Sequence, residues 1–590
     1  MVSKSYCSTD SGLLVAATAC LLTGSIPVCA QISVTLQPSI SPPAAVGTLV
    51  NWKAEVVDDA EGPHWYRFAT QGFGEPRKIV RDFGPDSMFD WVPNEREGLY
   101  AIEVTVRNIR TGQQYAAVAT YEVRPNVTAG QPSVSETPHP LVMLYSAPVC
   151  IPGAIMTVYF LGPDGPLQNA PPKRCDGLFS MNLYIAGLRP QTSYYIKHIV
   201  EDGGAFIEGP VMEFVSGEAP QGLPEHWVAL GTPRSQSQPV MLAGSLFTNF
   251  VATDLEGRLI WYYPEVMTFL THPERGGYFW AINEDHSGDE SRQIVRLFDV
   301  VGITVLETNA ARVNEQLEAL GKRRINAFHH EARFLSNGNI VVLAGVEQIM
   351  NGVQGSGPVN ILGDMIIVLN RDLEVVWTWD AFDHLDVRRM ATQLEVCNPD
   401  ACPPLFLHPE ANDWLHGNAV TETPEGDLLL SLRHQDWIIK IAYRHGTGSG
   451  DVLWRLGKDG DFTIQSEDLN PWFSHQHDAE IEPDATMSLF DNSNLRRAED
   501  PNAHSRGQVF RLDEANRVAE LVLNADLGVY AFALGSAQKL DDGNYFFDAG
   551  FRDDGTGISV EVDPEGHPTY GIEGTAPEYR TFRIKNMYNF

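Results

Sequence analysis

The chain runs to 590 residues with a formal charge of −34, the balance of 42 basic against 76 acidic residues. At about 100–200 residues per domain that length implies several domains and ample chain for a large core. Such acidity excludes nucleic acid, whose binding rests on clustered Lys and Arg, and argues against an anionic membrane surface. An anionic substrate therefore has to be held by a local pocket, against the field of the whole protein. A hydrophobic content of 43% with 12 Trp, 27 Phe and 19 Tyr marks a globular chain, since disordered chains lack such aromatics.

Residues 1–30 read as a removable export signal. Lys4 supplies a positive start, Leu13 to Leu22 is mostly apolar, and Val28-Cys29-Ala30 fits a small-residue cleavage site before Gln31. The apolar run is too short to span a membrane, and no later stretch reaches about 20 apolar residues, so no integral membrane segment is expected. The mature protein is expected in the periplasm or secreted. Cleavage removes Cys7, Cys20 and Cys29 and leaves Cys150, Cys175, Cys397 and Cys402. An even remainder in an exported chain points to two disulfides. Cys397 with Cys402 would close a short loop, and Cys150 with Cys175 would tie a hairpin region. A cysteine metal site is the rival, but neither pair is accompanied by Cys-x-x-Cys or paired His.

Residues 31–127 alternate in short runs such as Leu49-Val50-Asn51-Trp52-Lys53-Ala54-Glu55-Val56, broken by Pro, Gly and Asp. This spacing predicts an immunoglobulin-like β-sandwich. After a Thr-Ala-Gly-Gln-Pro linker at 128–132, residues 133–217 predict a second β-sandwich-like domain of immunoglobulin or fibronectin type. From 218 to 590 one strand pair recurs: an apolar run, Asp or Asn, a short turn, then a second apolar strand often holding Trp. Copies begin near Phe250, Ile294, Met365, Trp437, Val509 and Ile558. Between them lies a second hairpin type, as in Leu335-Ser336-Asn337-Gly338-Asn339-Ile340 and Leu540-Asp541-Asp542-Gly543-Asn544-Tyr545, whose tips suit turns needing positive φ. Two hairpins per unit and six units predict an all-β chain in which a six-bladed β-propeller at 218–590 follows one or two sandwiches.

Propeller sites usually sit at the central channel, lined by the innermost strand of each blade. Counting back eight positions from the inner turn glycine or its equivalent finds His330 before Gly338, Asn418 before Gly426 and His477 before Ala485. His416 and His475 lie two residues before the second and third of these. The local strings are His329-His330-Glu331, Asp413-Trp414-Leu415-His416-Gly417-Asn418 and His475-Gln476-His477-Asp478, and Arg433-His434-Gln435 follows on the next strand. A single histidine here would be unremarkable as a strand cap. A set of them at equivalent points with an arginine points to chemistry.

At these residues the sequence resembles the bacterial aryl-sulfate sulfotransferases that work without a nucleotide donor. The resemblance covers about 220–590 and rests on Asp-Trp-Leu-His-Gly-Asn (413–418), Leu-Leu-Ser-Leu-Arg-His-Gln (429–435), the Gln-His core of 475–477, and His329-His330 before a turn. It implies an exported protein with an N-terminal β-sandwich and a six-bladed propeller, moving a sulfuryl group between phenols through a sulfated histidine. Carried over, His477 corresponds to the nucleophile. His330, His416 and Arg433 correspond to groups around the sulfuryl, and Asn418 to a further hydrogen-bond donor. His329, His475 and His434 flank them, the first two as candidate substrate-binding residues. The chemistry fits: neutral imidazole is nucleophilic near pH 7, and Arg433 offers a planar fork for two sulfuryl oxygens. A second, protonated histidine could serve the leaving phenolate, and the sequence does not choose between His416 and His330.

The expected partners are an aryl sulfate donor and a phenolic acceptor, with no cofactor and no metal. A homodimer is left open. Two rivals stand: a non-catalytic exported propeller binding glycan or protein, and a metal-dependent hydrolase or lyase propeller that would use the histidines as ligands.

Overall fold

The computed structural model describes residues 33–398 and 402–589, so the expected export signal at 1–30 lies outside the described residues. The described chain is all-β, with short α-helices at Ala310–Ala319, Ala381–His384 and Asn494–Glu499. Strands from Ser33 to Arg124 form two sheets that share a core of Trp52, Phe68, Phe89, Trp91, Val104 and Tyr121. The larger of these sheets continues beyond its own edge. Its strand Lys78–Gly84 meets Thr304–Asn309 in a parallel pairing at Arg81 and Glu307, which also form an ion pair at 3.1 Å.

Strands between Ser133 and Val215 form two further sheets, built on Met143–Ala147 and on Ile155–Leu161 with Ser193–Asp202. Cys150 and Cys175 are disulfide-bonded here. The apolar side chains of this region, among them Tyr145, Met156 and Phe160, are continuous with Trp261, Phe279 and Phe298 of the strands beyond, so one core joins the two regions.

Past residue 226, six sheets contain an antiparallel four-stranded meander each. Every recurrent strand pair read from the sequence is the outer pair of one such meander; Met365–Trp377, for instance, spans strands Pro358–Leu369 and Val375–Asp380. The first strands are Phe269–Glu274, Phe328–Phe334, Gly417–Glu422, His477–Ile481 and Ser536–Lys539, and each lies against the next. The sixth is Glu578–Ile584 from late in the chain. It pairs with Val240–Ser245 to complete the sheet of Val251–Asp254 and Leu259–Tyr262, and it touches both Ser536–Lys539 and Phe269–Glu274. The ring of first strands is thereby closed.

Continuous apolar runs follow from this stacking. In Ile340-Val341-Val342-Leu343, Ile340 and Val342 pack into the core on one side while Val341 and Leu343 pack into the core on the other. Successive strand side chains point to opposite faces, and here both faces are covered. The inner turns take positive φ at equivalent points, Gly338 at 83°, Gly426 at 82° and Gly543 at 98°; Ala485 holds the same place at 63° without the freedom of glycine.

The first strands are not regular. Register shifts fall between Leu270 and His272, Phe328 and Ala332, Gly417 and Ala419, and His477 and Glu480. Such bulges bend a strand and re-aim its side chains. Inside the ring they meet one group, the buried guanidinium of Arg580. It pairs with Glu331 at 3.0 Å and Asp478 at 3.1 Å, and donates to the carbonyls of Thr271 and Asn418, both at 2.8 Å. Four other first strands converge on it. Replacing Arg580 with Met leaves two carboxylates buried without their counter-charge, so a loss of about 3–5 kcal/mol is expected. Urea unfolding followed by tryptophan fluorescence reads this as a lower midpoint, and an unchanged midpoint would refute the dependence of the ring on Arg580.

Candidate active site

The side chains singled out in the sequence gather at one end of this ring. His330 has its backbone in the left-handed region at φ 57°, as do His416 at 52° and His475 at 54°. A non-glycine residue held there costs on the order of 1–3 kcal/mol and tends to mark a functional site. The His330 ring stacks on Phe269 at 5.1 Å, meets Tyr579 edge-on at 5.6 Å and lies 5.0 Å from the ring of His416. His416 lies 4.6 Å from His434, which lies 5.6 Å from His475.

Hydrogen bonds fix which nitrogen of each ring carries the proton. His477 places Nδ1 2.7 Å from the amide oxygen of Asn492, whose own nitrogen donates to the carbonyls of Ala531 and Leu534. The Asn492 oxygen is therefore turned toward the ring, Nδ1 of His477 carries hydrogen, and the Nε2 lone pair is left without a protein partner among the described residues. His416 is held the same way, its Nδ1 2.7 Å from an Asp413 carboxylate oxygen. His434 donates from Nδ1 to the Asp413 carbonyl at 2.8 Å and accepts from Arg433 Nη1 at Nε2. His329 and His475 sit behind these rings on carboxylates: Nε2 of His329 is 3.2 Å from Asp364, while His475 bonds Glu395 through Nε2 and has Asp436 at 3.2 Å.

Arg433 differs from the other deeply placed arginines. Arg333, Arg506, Arg580 and Arg583 are each salt-bridged to a carboxylate. Among the described residues no carboxylate comes within salt-bridge distance of Arg433, which bonds His434 and the Phe532 carbonyl and leaves Nε unpartnered. Asn418 is buried, and its amide donates to the Gln476 carbonyl at 2.8 Å. It thus ties the His477 strand to its neighbour. Sequence reasoning did not find Asn492, Glu395, Asp364 or Tyr579. Asp413 stood inside a quoted motif without a role, and the others lie outside every motif singled out.

Two His and carboxylate sets have ligand atoms close enough to share an ion: Glu395, His434 and His475, and Asp413, His416 and His434. Both need His434, whose two ring nitrogens are already bonded, one of them to a cation. These residues do not fit a metal as they stand. Cys397 and Cys402 are joined as a disulfide beside Glu395 and Asp413, so they offer no thiolate. No helix among the described residues is long and apolar enough to cross a membrane.

Burial, then the positive charge of Arg433, holds His477 well below the usual histidine range, although Asn492 opposes this. Burial and neighbouring His416 do the same for His330 and His434. Burial works against protonating His329 and His475 too, but Asp364 holds the first above the usual value, and Asp436 with Glu395 the second. Three rings are thus neutral in the fold yet would take a proton in the unfolded chain below about 6.5. Their stabilisation is complete above that pH and is lost as pH falls. His329 and His475 act in the opposite sense, stabilising below it and losing that effect as pH rises through their raised values. His434→Gln should therefore show a smaller drop in urea midpoint than the unaltered protein between about pH 7 and pH 5; an equal drop would refute the neutral assignment.

Solved structures with some likeness are a purple acid phosphatase from yellow lupin (Lupinus luteus; 14% identity over 34% of this chain and 44% of that one, TM-score 0.15) and two chicken fibronectin-containing segments. The latter are the CNTN1 FN1–FN3 domains (13%, 31% and 64%, TM-score 0.13) and a tenascin segment of two fibronectin type-III domains (15%, 31% and 97%, TM-score 0.14). The chain spans under half the length of the lupin enzyme, and TM-scores this low support neither a shared fold nor a shared function. No curated protein matches the chain. The family model described as Arylsulfotransferase (ASST) matches residues 230–574, more than half of the chain, and the protein therefore belongs to the arylsulfotransferase family.

Proposed function

We propose that the protein transfers a sulfuryl group from an aryl sulfate ester to a phenol in two displacements, through a sulfated His477. The observation that carries this reading is Arg433, a guanidinium without a salt-bridged carboxylate among the described residues, in a chain of net charge −34. A polar end of the ring with an unneutralised cation and neutral imidazoles suits a small anion. In the first step the Nε2 lone pair of His477 attacks sulfur and the sulfur–oxygen bond to the aryl group breaks, releasing a phenolate that takes up a proton. In the second a phenol loses its proton, its oxygen attacks the same sulfur, and the nitrogen–sulfur bond breaks to restore His477. The transferring group spreads charge over three oxygens, so catalysis is mainly positioning and charge stabilisation. Arg433 would hold two of those oxygens, with His330 and His416 flanking the third. The bond from Asn492 keeps Nε2 free and unprotonated for attack.

In this reading the six meanders are blades of a β-propeller at 218–590, preceded by sandwich domains at 31–127 and 133–217. Two disulfides suit an oxidising compartment, and export to the periplasm or medium is proposed with them. The test is phenol release from a chromogenic aryl sulfate with and without a phenolic acceptor, followed by peptide mapping of the trapped protein. Acceptor-dependent release and a sulfuryl adduct on His477 are expected. Arg433→Met should slow transfer by about 10²–10³-fold. If His477→Ala keeps phenol-to-phenol transfer, the mechanism is wrong.

A further inference from the structure

We propose that Asp364, His329 and His330 form a proton relay that serves the departing phenolate and the incoming phenol, an inference that rests on the sulfotransfer reading above. Nδ1 of His329 lies 2.9 Å from Nδ1 of His330. Two ring nitrogens approach this closely when one carries hydrogen and the other offers its lone pair, so one proton sits between the rings. The far side of the pair is fixed. Asp364 accepts the backbone N–H of Gly417 at 2.7 Å with one oxygen and faces Nε2 of His329 at 3.2 Å with the other. Nε2 of His329 therefore always points its hydrogen at a carboxylate. The near side, Nε2 of His330, has no protein partner among the described residues.

The state of the inner proton sets what His330 presents. When His329 donates it, His330 is neutral with hydrogen on Nε2. When His330 donates it, Nε2 of His330 is a bare lone pair. Moving the inner proton across 2.9 Å as the outer nitrogen gives up its own thus turns a proton donor into an acceptor at that outer nitrogen, with no ring rotation. In the first displacement Nε2–H of His330 passes its proton to the phenolate oxygen while Nδ1 takes the proton of His329. His329 imidazolium becomes neutral, a phenol forms, and no other proton is needed. In the second displacement the acceptor phenol gives its proton to Nε2 of His330, and Nδ1 returns one to His329.

The surroundings favour a resting proton on His329. Asp364 faces it directly, and Glu284 and Asp413 lie within electrostatic reach; His330 instead faces His416, His477 and Arg580. Carboxylates thus face His329, while imidazoles and a guanidinium face His330, and both rings are buried. His416 keeps its Nδ1 hydrogen on Asp413, and among the described residues no second imidazole is hydrogen-bonded to it to refill it. Asp364 and His329 act through His330, so they are positioning residues.

The test is single-turnover phenol release by the full-length enzyme from two donors. These are 4-nitrophenyl sulfate, whose phenolate leaves without protonation, and phenyl sulfate, whose phenolate needs a proton. His329→Gln and Asp364→Asn should each slow phenyl sulfate by about 100-fold, the range of general acid catalysis, and 4-nitrophenyl sulfate by under about threefold. The basic limb of the phenyl sulfate pH profile should move to lower pH in Asp364→Asn. Equal losses for both donors would mean a structural role and overturn the relay, as would no loss for either. A selective loss in His416→Gln with none in His329→Gln would assign the proton to His416 and overturn it too. If the unaltered enzyme shows no acceptor-dependent release from 4-nitrophenyl sulfate, the sulfotransfer reading itself fails. Should Asp364→Asn fold poorly, His329→Gln carries the comparison alone.

Discussion

The guanidinium of Arg580 sets the geometry from which the rest follows. Glu331 directly follows His330, and Asp478 directly follows His477. Arg580 binds both acids, and it binds the carbonyl of Asn418 in the strand between them. Adjacent side chains of a strand point apart, so pulling the acids toward a common centre sends the preceding imidazoles the other way. The bulges at these positions supply the turn that regular strands could not make. The arrangement carries tension of its own: burial pushes Asp478 up to about 7 even beside its arginine. Tyr579, the neighbour of Arg580, donates to the carbonyl of His330 at 2.6 Å, so the closing strand supports the histidine as well as its acid.

Electrostatics divides the ring interior into two layers. Below, Arg580 and Arg333 are neutralised by Glu331, Asp478 and Glu480. Above, Arg433 keeps its charge, and three nearby rings are held neutral by burial, with that charge adding to the effect at His434 and His477. The carboxylates that do approach, Asp413, Glu395 and Asp364, bond the histidines from behind, and among the described residues none comes within salt-bridge distance of Arg433, though Glu395 and Asp413 act on it from farther off. An acidic protein thereby keeps one cation available to an anion.

Much of this was legible in the chain, for identifiable reasons. The outer strand pairs show as apolar runs because neighbouring sheets cover both of their faces, and their tips carry turn residues. The paired disulfides follow from cysteine parity. His330, His416, His477 and Arg433 stood out because polar nitrogen recurred at one offset from a turn. That offset says nothing of direction. Asn418, at the same offset as His330 and His477, bonds the neighbouring strand, and His329 and His475 face carboxylates. Asn492, Glu395 and Tyr579 were invisible because each reaches the cluster from a different sheet or loop, and their local sequences read as ordinary strand ends and turns. The same is true of the first region, whose pattern announces strands but not that its sheet edge would meet Thr304–Asn309.

The closing strand has a consequence for the life of the chain before it is complete. Arg580 meets Thr271 across 309 residues of sequence, and contacts of such separation form late because the intervening loop must close first. A chain emerging from its N-terminal end, from a ribosome or through a membrane, holds His330, His416 and His477 long before Glu578–Ile584 arrives. Until then no guanidinium gathers the acids and no tyrosine holds the His330 carbonyl. The histidine cluster is therefore set in place only once Glu578–Ile584 has been made, and a polypeptide interrupted short of that segment lacks the groups that hold it.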